Sequence, residues 1–484
     1  MRHLTITRAA SIIIFLLLFM LATRIPTDTD TWWHIRSGEY TLINGMIYAD
    51  PFSHTMQGEP WINHSWGAQI VLYAAWSLLG NTGLALYTSI LATVGMYFIY
   101  RMCAGNVYLR GFALIIGAAA AAIFWSPRPQ MFSFALSAVL LYLLYMYQRR
   151  QADRLWLIPV VMLAWGNLHA GFSIGYILLG GVIAGEALGN VFAPQADAFM
   201  GWPRLLKLVL VSVVSAAALV INPYGLQLYT VPFDTVSIGA LQDFIQEWNS
   251  PNFHERQTWP FIALLLGLFG AAGASRLRLR WPDYVLVGGT LFMALTAGRN
   301  IAVFVVVATP VLALHLDAVL NERGWVLRPV QRVTPALVRI NLLLIGLIAL
   351  MVVFSVLSTL DAETVHETQS QYLPLDAVDY LNTENPPGPI FNSYNWGGYL
   401  IFAAPEYPVF VDGRTDLYGD AFLTRWYAAA IGVAGWRETL AGINLVLVER
   451  DSGLVSNLQA ESGWSLAYAD DLAVIFMRDD EAGE

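Results

Sequence analysis

The chain has 484 residues, 57% hydrophobic and 13% charged, with a mean hydropathy of +0.54 and a formal net charge of −9. An average soluble protein carries roughly 25% charged residues. These figures exclude a soluble enzyme, and continuous apolar tracts of bilayer-spanning length exclude a disordered chain and an alternating β-barrel. The negative balance argues against a nucleic-acid partner, and Cys103, the only cysteine, leaves no intrachain disulfide and no cysteine-based metal site.

Taken in chain order, the first apolar tract, Ala9 to Ala22, follows Arg2 and Arg8 and lacks a small-x-small cleavage site, so it reads as a retained signal anchor. Further tracts at 83–100, 111–125, 131–147, 155–167, 172–188, 205–221, 259–274, 284–297, 301–316 and 341–358 bring the expected spans, with 9–23, to about eleven. With the N-terminus in the cytoplasm, the inner segments collect Arg2, Arg8, Arg101, Arg110, Arg149, Arg150, Arg154, Arg204, Lys207, Arg276, Arg278, Arg280, Arg323, Arg328, Arg332 and Arg339. That is about sixteen basic residues against about five in the opposite loops, the asymmetry of the positive-inside rule. An odd number of spans then puts everything after Thr359 outside. The expected fold is a polytopic α-helical membrane protein with a membrane domain at 1–358 and an extracytoplasmic small α/β domain at 359–484.

The first external loop, residues 24–66, is long and rich in Asp, His, Trp and Pro. Gly67 to Leu79, directly after it, has the pattern of a membrane-surface helix. In the tail, from about Leu373, short apolar runs at 389–392, 409–412, 445–448 and 472–477 alternate with helical stretches at 376–382 and 421–431. That alternation predicts a largely parallel sheet with Asp412 at a strand end. No internal repeat, P-loop or dinucleotide fingerprint is visible.

Polar residues are costly in a bilayer protein, so their sidedness carries information. Most of the unusual ones fall at external span ends. The first loop reads Asp28-Thr-Asp-Thr-Trp-Trp-His34, then Asp50-Pro-Phe-Ser-His54, then Trp61-Ile-Asn-His64. Helical spacing from Asp30 sets Asp30 and His34 on one face, with Trp33 as a headgroup-level anchor. Other external turns contribute Arg128 in Ser126-Pro-Arg-Pro-Gln130, Asn167 and His169, Asn222-Pro-Tyr-Gly225, Glu247, and Arg299 in Gly298-Arg-Asn300. A carboxylate can take the proton of an attacking hydroxyl. Two arginines can bind phosphate oxygens and stabilise a phosphate leaving group. The combination suits a lipid-phosphate substrate.

Plainer roles compete at every position. The aspartates are suited to capping a helix, the histidines to structural hydrogen bonds, the two arginines to snorkelling, Asn167 and Asn222 to turns, and the tryptophans to interfacial anchoring. Asp412, Arg414 and Asp416 either line a ligand site or form an ion-pair network that docks the tail.

The motifs Asp28-Thr-Asp-Thr-Trp-Trp-His-Ile35, Asp50-Pro-Phe-Ser53, Arg128-Pro-Gln130, Asn167-Leu-His-Ala-Gly-Phe172, Asn222-Pro-Tyr-Gly225, Arg299-Asn300 and Val411-Asp-Gly-Arg-Thr-Asp416 resemble a bacterial family of mannosyltransferase-like membrane proteins of the GT-C glycosyltransferase class. The resemblance spans nearly the whole chain. It implies transfer of a sugar from a polyprenyl-phosphate donor to an acceptor on the external face of a bacterial inner membrane, usually with inversion, with Asp28 or Asp30 inheriting the role of base or of positioning the acceptor. Arg128 and Arg299 would then hold the phosphate, while His34, His64, His169 and Glu247 shape the pocket. Asp-Thr-Asp stands where protein mannosyltransferases have an Asp-Glu pair, and the Trp-Trp-Asp-x-Gly signature of oligosaccharyltransferases is missing. Both departures argue against protein O-mannosylation and N-glycosylation. A divalent cation at Asp28-Thr-Asp30 stays an open alternative, although two carboxylates alone make a poor hard-cation site, and no cofactor is assigned. Membrane lipids and protein subunits of a membrane complex are the other expected partners. The rival readings are a non-catalytic scaffold subunit and, third, a lipid or sugar transporter, which would carry ionisable groups nearer mid-membrane.

Overall fold

The computed structural model describes residues 4–193, 199–239, 246–325 and 333–479. Its apolar helices are α1 (Ile6–Ala22), α3 (Trp66–Met102), α4 (Val107–Ala121), α5 (Gln130–Gln148), α6 (Leu157–Leu168), α7 (Phe172–Phe192), α8 (Trp202–Leu219), α10 (Trp259–Ala274), α11 (Trp281–Thr296), α12 (Ile301–Glu322) and α13 (Pro335–Thr359). The polar helix α2 (Thr31–Asn44) lies in the first loop and the short α9 (Val231–Ser237) follows α8. Each expected apolar tract falls on one of these helices. Among the described residues, eight are long and apolar enough to cross a membrane, α4 and α10 reaching that length with the adjoining 3-10 turns as Val107–Phe124 and Arg256–Ala274; α1, α6 and α11, at 17, 12 and 16 residues, are shorter. Of the basic residues assigned to the cytoplasm, Arg2, Arg328 and Arg332 lie outside the described residues.

Local chemistry sets the helix starts. Proline occupies the first turn of α8, α10, α11 and α13, where its missing N–H costs nothing. Side chains of Thr5, Asn106 and Thr334 accept first-turn N–H groups of α1, α4 and α13. Within α3, Gly80 at φ 57° breaks the helix, and a β-carbon on Gly83 would lie 1.9 Å from the Ala75 carbonyl oxygen, so the 66–79 arm folds back onto the start of the following span. The arm expected from the sequence is therefore distinct from the span after it.

The core of the bundle is built around α12, whose residues 303–313 are all buried against α4, α10 and α11. Its side chains meet Met96, Leu114, Ala118, Leu144 and Phe261 in one continuous apolar cluster. The last long helix, α13, packs mainly on α1 and leaves Leu343, Leu350 and Phe354 exposed, the pattern of a lipid-facing helix.

The tail continues with α14 (Ala362–Gln369), α15 (Leu375–Glu384), β1 (Ile390–Asn392), α16 (Tyr394–Ala403), α17 (Thr415–Ala430), β2 (Leu445–Glu449), α18 (Gly453–Ala460), β3 (Trp464–Ala469) and β4 (Ala473–Arg478). The strands form one sheet in the order β1-β2-β4-β3, in which only β1 and β2 are parallel. The expected largely parallel sheet is thus corrected. Asp470 accepts the N–H groups of Leu472 and Ala473 in a tight turn, and so short a connection imposes antiparallel pairing on β3 and β4.

The strand expected at 409–412 is also absent. The Asn392 side chain accepts from the Phe410 N–H at 2.8 Å and donates to the Val411 carbonyl at 2.7 Å, satisfying the groups a strand would have paired. Val409 instead bridges to Ser53 of the first loop.

Candidate functional site

The first loop enters α2 through Asp28 and Asp30. Asp30 stands at the N-cap position, yet its side chain makes no capping hydrogen bond. Asp28 Oδ1 accepts the Asp30 N–H at 3.0 Å, while Asp30 Oδ1 accepts the Trp33 indole N–H at 3.1 Å. Trp33 is buried, so the expectation that it anchors at the headgroup level is corrected: its polar edge is used by the carboxylate one turn earlier.

Both aspartates turn to Arg128, which leads into α5 between two prolines and whose carbonyl accepts the Tyr87 hydroxyl at 3.0 Å. Arg128 Nη1 lies 3.2 Å from Asp28 Oδ2, and Nη2 lies 3.2 Å from Asp30 Oδ2 and 3.5 Å from Glu247 Oε1. Glu247 sits on a single helical turn whose next residues are held by the Gly298 N–H donating to the Asn249 carbonyl at 2.9 Å. That contact brings in Arg299, with Nη1 3.4 Å from Glu247 Oε1 and its guanidinium 4.3 Å over the Trp248 ring. Three carboxylates and two guanidiniums thus form one chain of ion pairs, and each side chain keeps 17–26% of its surface open. A core network would be closed; this one keeps contact with its surroundings.

The electrostatics follow from that packing. Burial, together with the nearby charges of Asp28 and Glu247, pushes the Asp30 carboxyl up to about 6 against the pull of Arg128 and the Trp33 hydrogen bond. Burial also acts to raise Glu247, but Arg128 and Arg299 outweigh it and leave that carboxyl below its ordinary value. For Arg128, burial works against the charge and the three carboxylates overcome it, so the guanidinium stays charged.

The histidines form a second layer. His34, one turn after Asp30 on α2, accepts at Nδ1 from Gln69 at 3.2 Å, and Gln69 in turn accepts from Asn63 at 2.7 Å. His169 closes α6. Its Nδ1 receives the Gly171 N–H at 3.0 Å and faces the Ser133 hydroxyl at 2.8 Å, while that hydroxyl accepts the Trp165 N–H at 2.7 Å. With Nδ1 an acceptor, the proton of the neutral ring belongs on Nε2. His64 contacts the Ser65 hydroxyl at 2.8 Å, and its ring lies 5.9 Å from that of His169. Burial, then like charge from the neighbouring cations, lowers His34 and His169 well below the usual value; burial likewise lowers His64, against the pull of Asp416.

The structure therefore brings Asp28, Asp30, Arg128, Glu247 and Arg299 into direct contact, with His34, His64 and His169 behind them. Other sequence candidates fall elsewhere. Asn222 shapes its own turn through Tyr224 and Gly225, Asn167 donates to the Leu163 and Ile221 carbonyls, and His54 contacts the Ile390 carbonyl. Arg414 is fully buried, paired with Asp412 and with Asp50 of the first loop, and stacked near Phe52 and Trp61. Asp416 accepts the Trp61 N–H at 3.1 Å. These contacts have the form of the docking network, with no open ligand surface at Asp412. Sequence reading missed Trp248 beneath Arg299, and Ser133 and Trp165 behind His169; none carries a local motif. A hard cation does not fit as the residues stand: Arg128 already lies between the carboxylates, and among the described residues no group of three or more His, Cys, Asp or Glu is arranged as metal ligands.

No family model matches the sequence, and no curated protein matches it. Solved structures do. The archaeal oligosaccharyltransferase AglB from Archaeoglobus fulgidus, in complex with an inhibitory peptide and a dolichol-phosphate, superposes with a TM-score of 0.56 at 13% identity over 91% of this chain and 69% of that one. ArnT from Cupriavidus metallidurans, bound to undecaprenyl phosphate, gives 0.52 at 14% identity over 97% of both chains. The arabinofuranosyltransferase AftD from Mycobacteria gives 0.50 at 13% identity, with 98% of this chain covering 41% of that chain. At such identities the likeness shows the fold alone: the apolar helices mark an integral membrane protein, and its architecture is the GT-C fold shared with these structures.

Proposed function

We propose that the chain transfers a sugar from a polyprenyl-phosphate donor to an acceptor hydroxyl at the extracytoplasmic surface. The observation that carries this reading is the pair of first-loop aspartates gathered on Arg128, with Arg299 joined through Glu247. Two proteins of the same fold were solved with dolichol-phosphate and undecaprenyl phosphate, which supports a lipid phosphate as the ligand of these arginines.

In the proposed reaction the acceptor O–H gives its proton to Asp30, whose pKa of about 6 suits a base working near neutral pH. The acceptor oxygen bonds to the anomeric carbon from the face opposite the phosphate. The bond from that carbon to the phosphate oxygen breaks, its electron pair stays on the phosphate, and Arg128 and Arg299 stabilise the charge that develops there. Attack from the opposite face inverts the anomeric centre. Asp28 holds the start of α2 and one edge of Arg128.

In the topology that goes with this reading, eleven helices cross a bacterial inner membrane, the N-terminus is cytoplasmic, and a membrane domain at 1–358 is followed by an extracytoplasmic α/β domain at 359–484. The test incubates purified protein with radiolabelled polyprenyl-phosphate sugars and envelope acceptors, alongside Asp30→Asn. Transfer that collapses in the variant supports the reading. No transfer with any donor would leave a scaffold with this fold.

A further inference from the structure

The tail presses on the acidic site at one point. A β-carbon on Gly413 would lie 1.9 Å from Asp30 Oδ1 and 3.3 Å from the Trp33 indole nitrogen. A β-carbon on Gly398 would similarly lie 2.6 Å from the Thr29 carbonyl oxygen and 2.9 Å from Trp33 Cδ1. Two glycines of the tail thus allow its backbone to lie directly on the Thr29–Trp33 turn.

The loop carrying Gly413 has little room to retreat. Next to it, Arg414 is clamped by Asp412 and Asp50, and the Arg414 N–H donates to Asp412 Oδ1 at 2.9 Å. Thr415 Oγ1 contacts the Tyr394 hydroxyl at 2.8 Å, and Asp416 holds Trp61. On the other side, Gly397 lets α16 approach the Val411 carbonyl, where a β-carbon would lie 2.0 Å from the oxygen. The yielding partner in any crowding at Gly413 is therefore the Asp30 side chain.

We infer that the Asp412–Thr415 loop is a positioning element of the active site, with Gly413 holding the Asp30 carboxylate between the Trp33 N–H and Arg128. The inference rests on the proposed role of Asp30 as base, and it assigns the tail a part in the chemistry beyond docking. A carboxylate kept in one orientation by backbone on one face and an indole N–H on the other is preorganised for proton transfer. A methyl at position 413 falls on Asp30 Oδ1 and turns the carboxylate out of that orientation.

The test compares Gly413→Ala with Ser456→Ala, an exposed position on α18 whose hydroxyl bonds only the Gly453 carbonyl of its own helix. The expected result for Gly413→Ala is at least a thirtyfold loss of kcat with the donor KM within threefold, while Ser456→Ala stays within threefold in both. A second readout does not depend on transfer: the infrared carboxyl titration assigned to Asp30 by its disappearance in Asp30→Asn. It is expected to move in Gly413→Ala and to stay in Ser456→Ala. If the unmodified protein transfers no sugar, the role of Asp30 as base fails, yet this titration still decides whether the loop orients it. If Gly413→Ala does not fold, Trp33→Phe removes the opposing N–H and is expected to raise the same titration. An unmoved titration in the folded variant, or wild-type kcat in Gly413→Ala, overturns the inference.

Discussion

Arg128→Met removes the one cation shared by three carboxylates. At about 3.2 Å and an effective dielectric near 20, a unit pair attracts by roughly 5 kcal/mol, but desolvation and the remaining solvent contact of these side chains absorb most of that. The net contribution is about 1 kcal/mol per partner. With Asp28, Asp30 and Glu247 all engaged, the variant is expected to lose about 3 kcal/mol of stability. The functional loss is larger. Removing one charged donor from a developing oxyanion costs on the order of 10²–10³ in rate, and without Arg128 the Asp30 carboxyl loses the charge that opposes its upward shift, so less of the base is ionised at neutral pH. Arg128→Lys keeps a charge, but a point charge on a flexible stem cannot span three acceptors, and it is expected to fall between the two. The assay is single-turnover transfer from a polyprenyl-phosphate sugar in nanodiscs, paired with thermal unfolding. A stable Arg128→Met protein that retains turnover within threefold of the unmodified chain would refute the reasoning.

Four further outcomes follow from the same geometry. With Asp30 as the proposed base and its carboxyl near 6, the rate should rise about tenfold per pH unit up to that value and then level, with the limb absent in Asp30→Asn. Stability should run the other way. The folded carboxyl binds its proton more tightly than the unfolded chain does, so between about pH 4 and 6 stability falls as pH rises, by at most about 3 kcal/mol; unfolding midpoints at pH 4, 6 and 8 check the sign. Nitrogen NMR of labelled histidine should find His169 neutral at pH 7 with the proton on Nε2, and an Nδ1-protonated ring would contradict the assignment. Arg414→Met strands Asp50 and Asp412 in a buried site and should cost about 3–5 kcal/mol, with protease sensitivity appearing in the tail; an unchanged unfolding curve would contradict the docking role.

The bilayer made much of this protein legible. A helix that crosses lipid must be long, apolar and continuous, and every expected tract falls on a helix for that reason. The same constraint singled out Arg128, Glu247 and Arg299, since charge at span ends needs an explanation. What the sequence withheld was pairing. Arg128 meets Asp28 from 100 residues away and Glu247 from 119, and Arg414 meets Asp50 from 364; no local pattern encodes contacts of that range. Trp33 was misread because an interfacial tryptophan and one that bonds a carboxylate have the same sequence signature. The 409–412 run has strand composition, but the side chain of Asn392 takes its backbone groups, and the parallel sheet failed on a three-residue turn.

The central claim is that Arg128 and Arg299 receive the phosphate of a polyprenyl lipid beside Asp28 and Asp30. A cryo-EM map of the protein saturated with undecaprenyl phosphate in nanodiscs tests it most directly. The account expects phosphate density within hydrogen-bonding distance of both guanidiniums, with the prenyl tail leaving between the helices toward lipid. Density for the lipid phosphate at any other place, or an empty arginine pair at saturation, would contradict it.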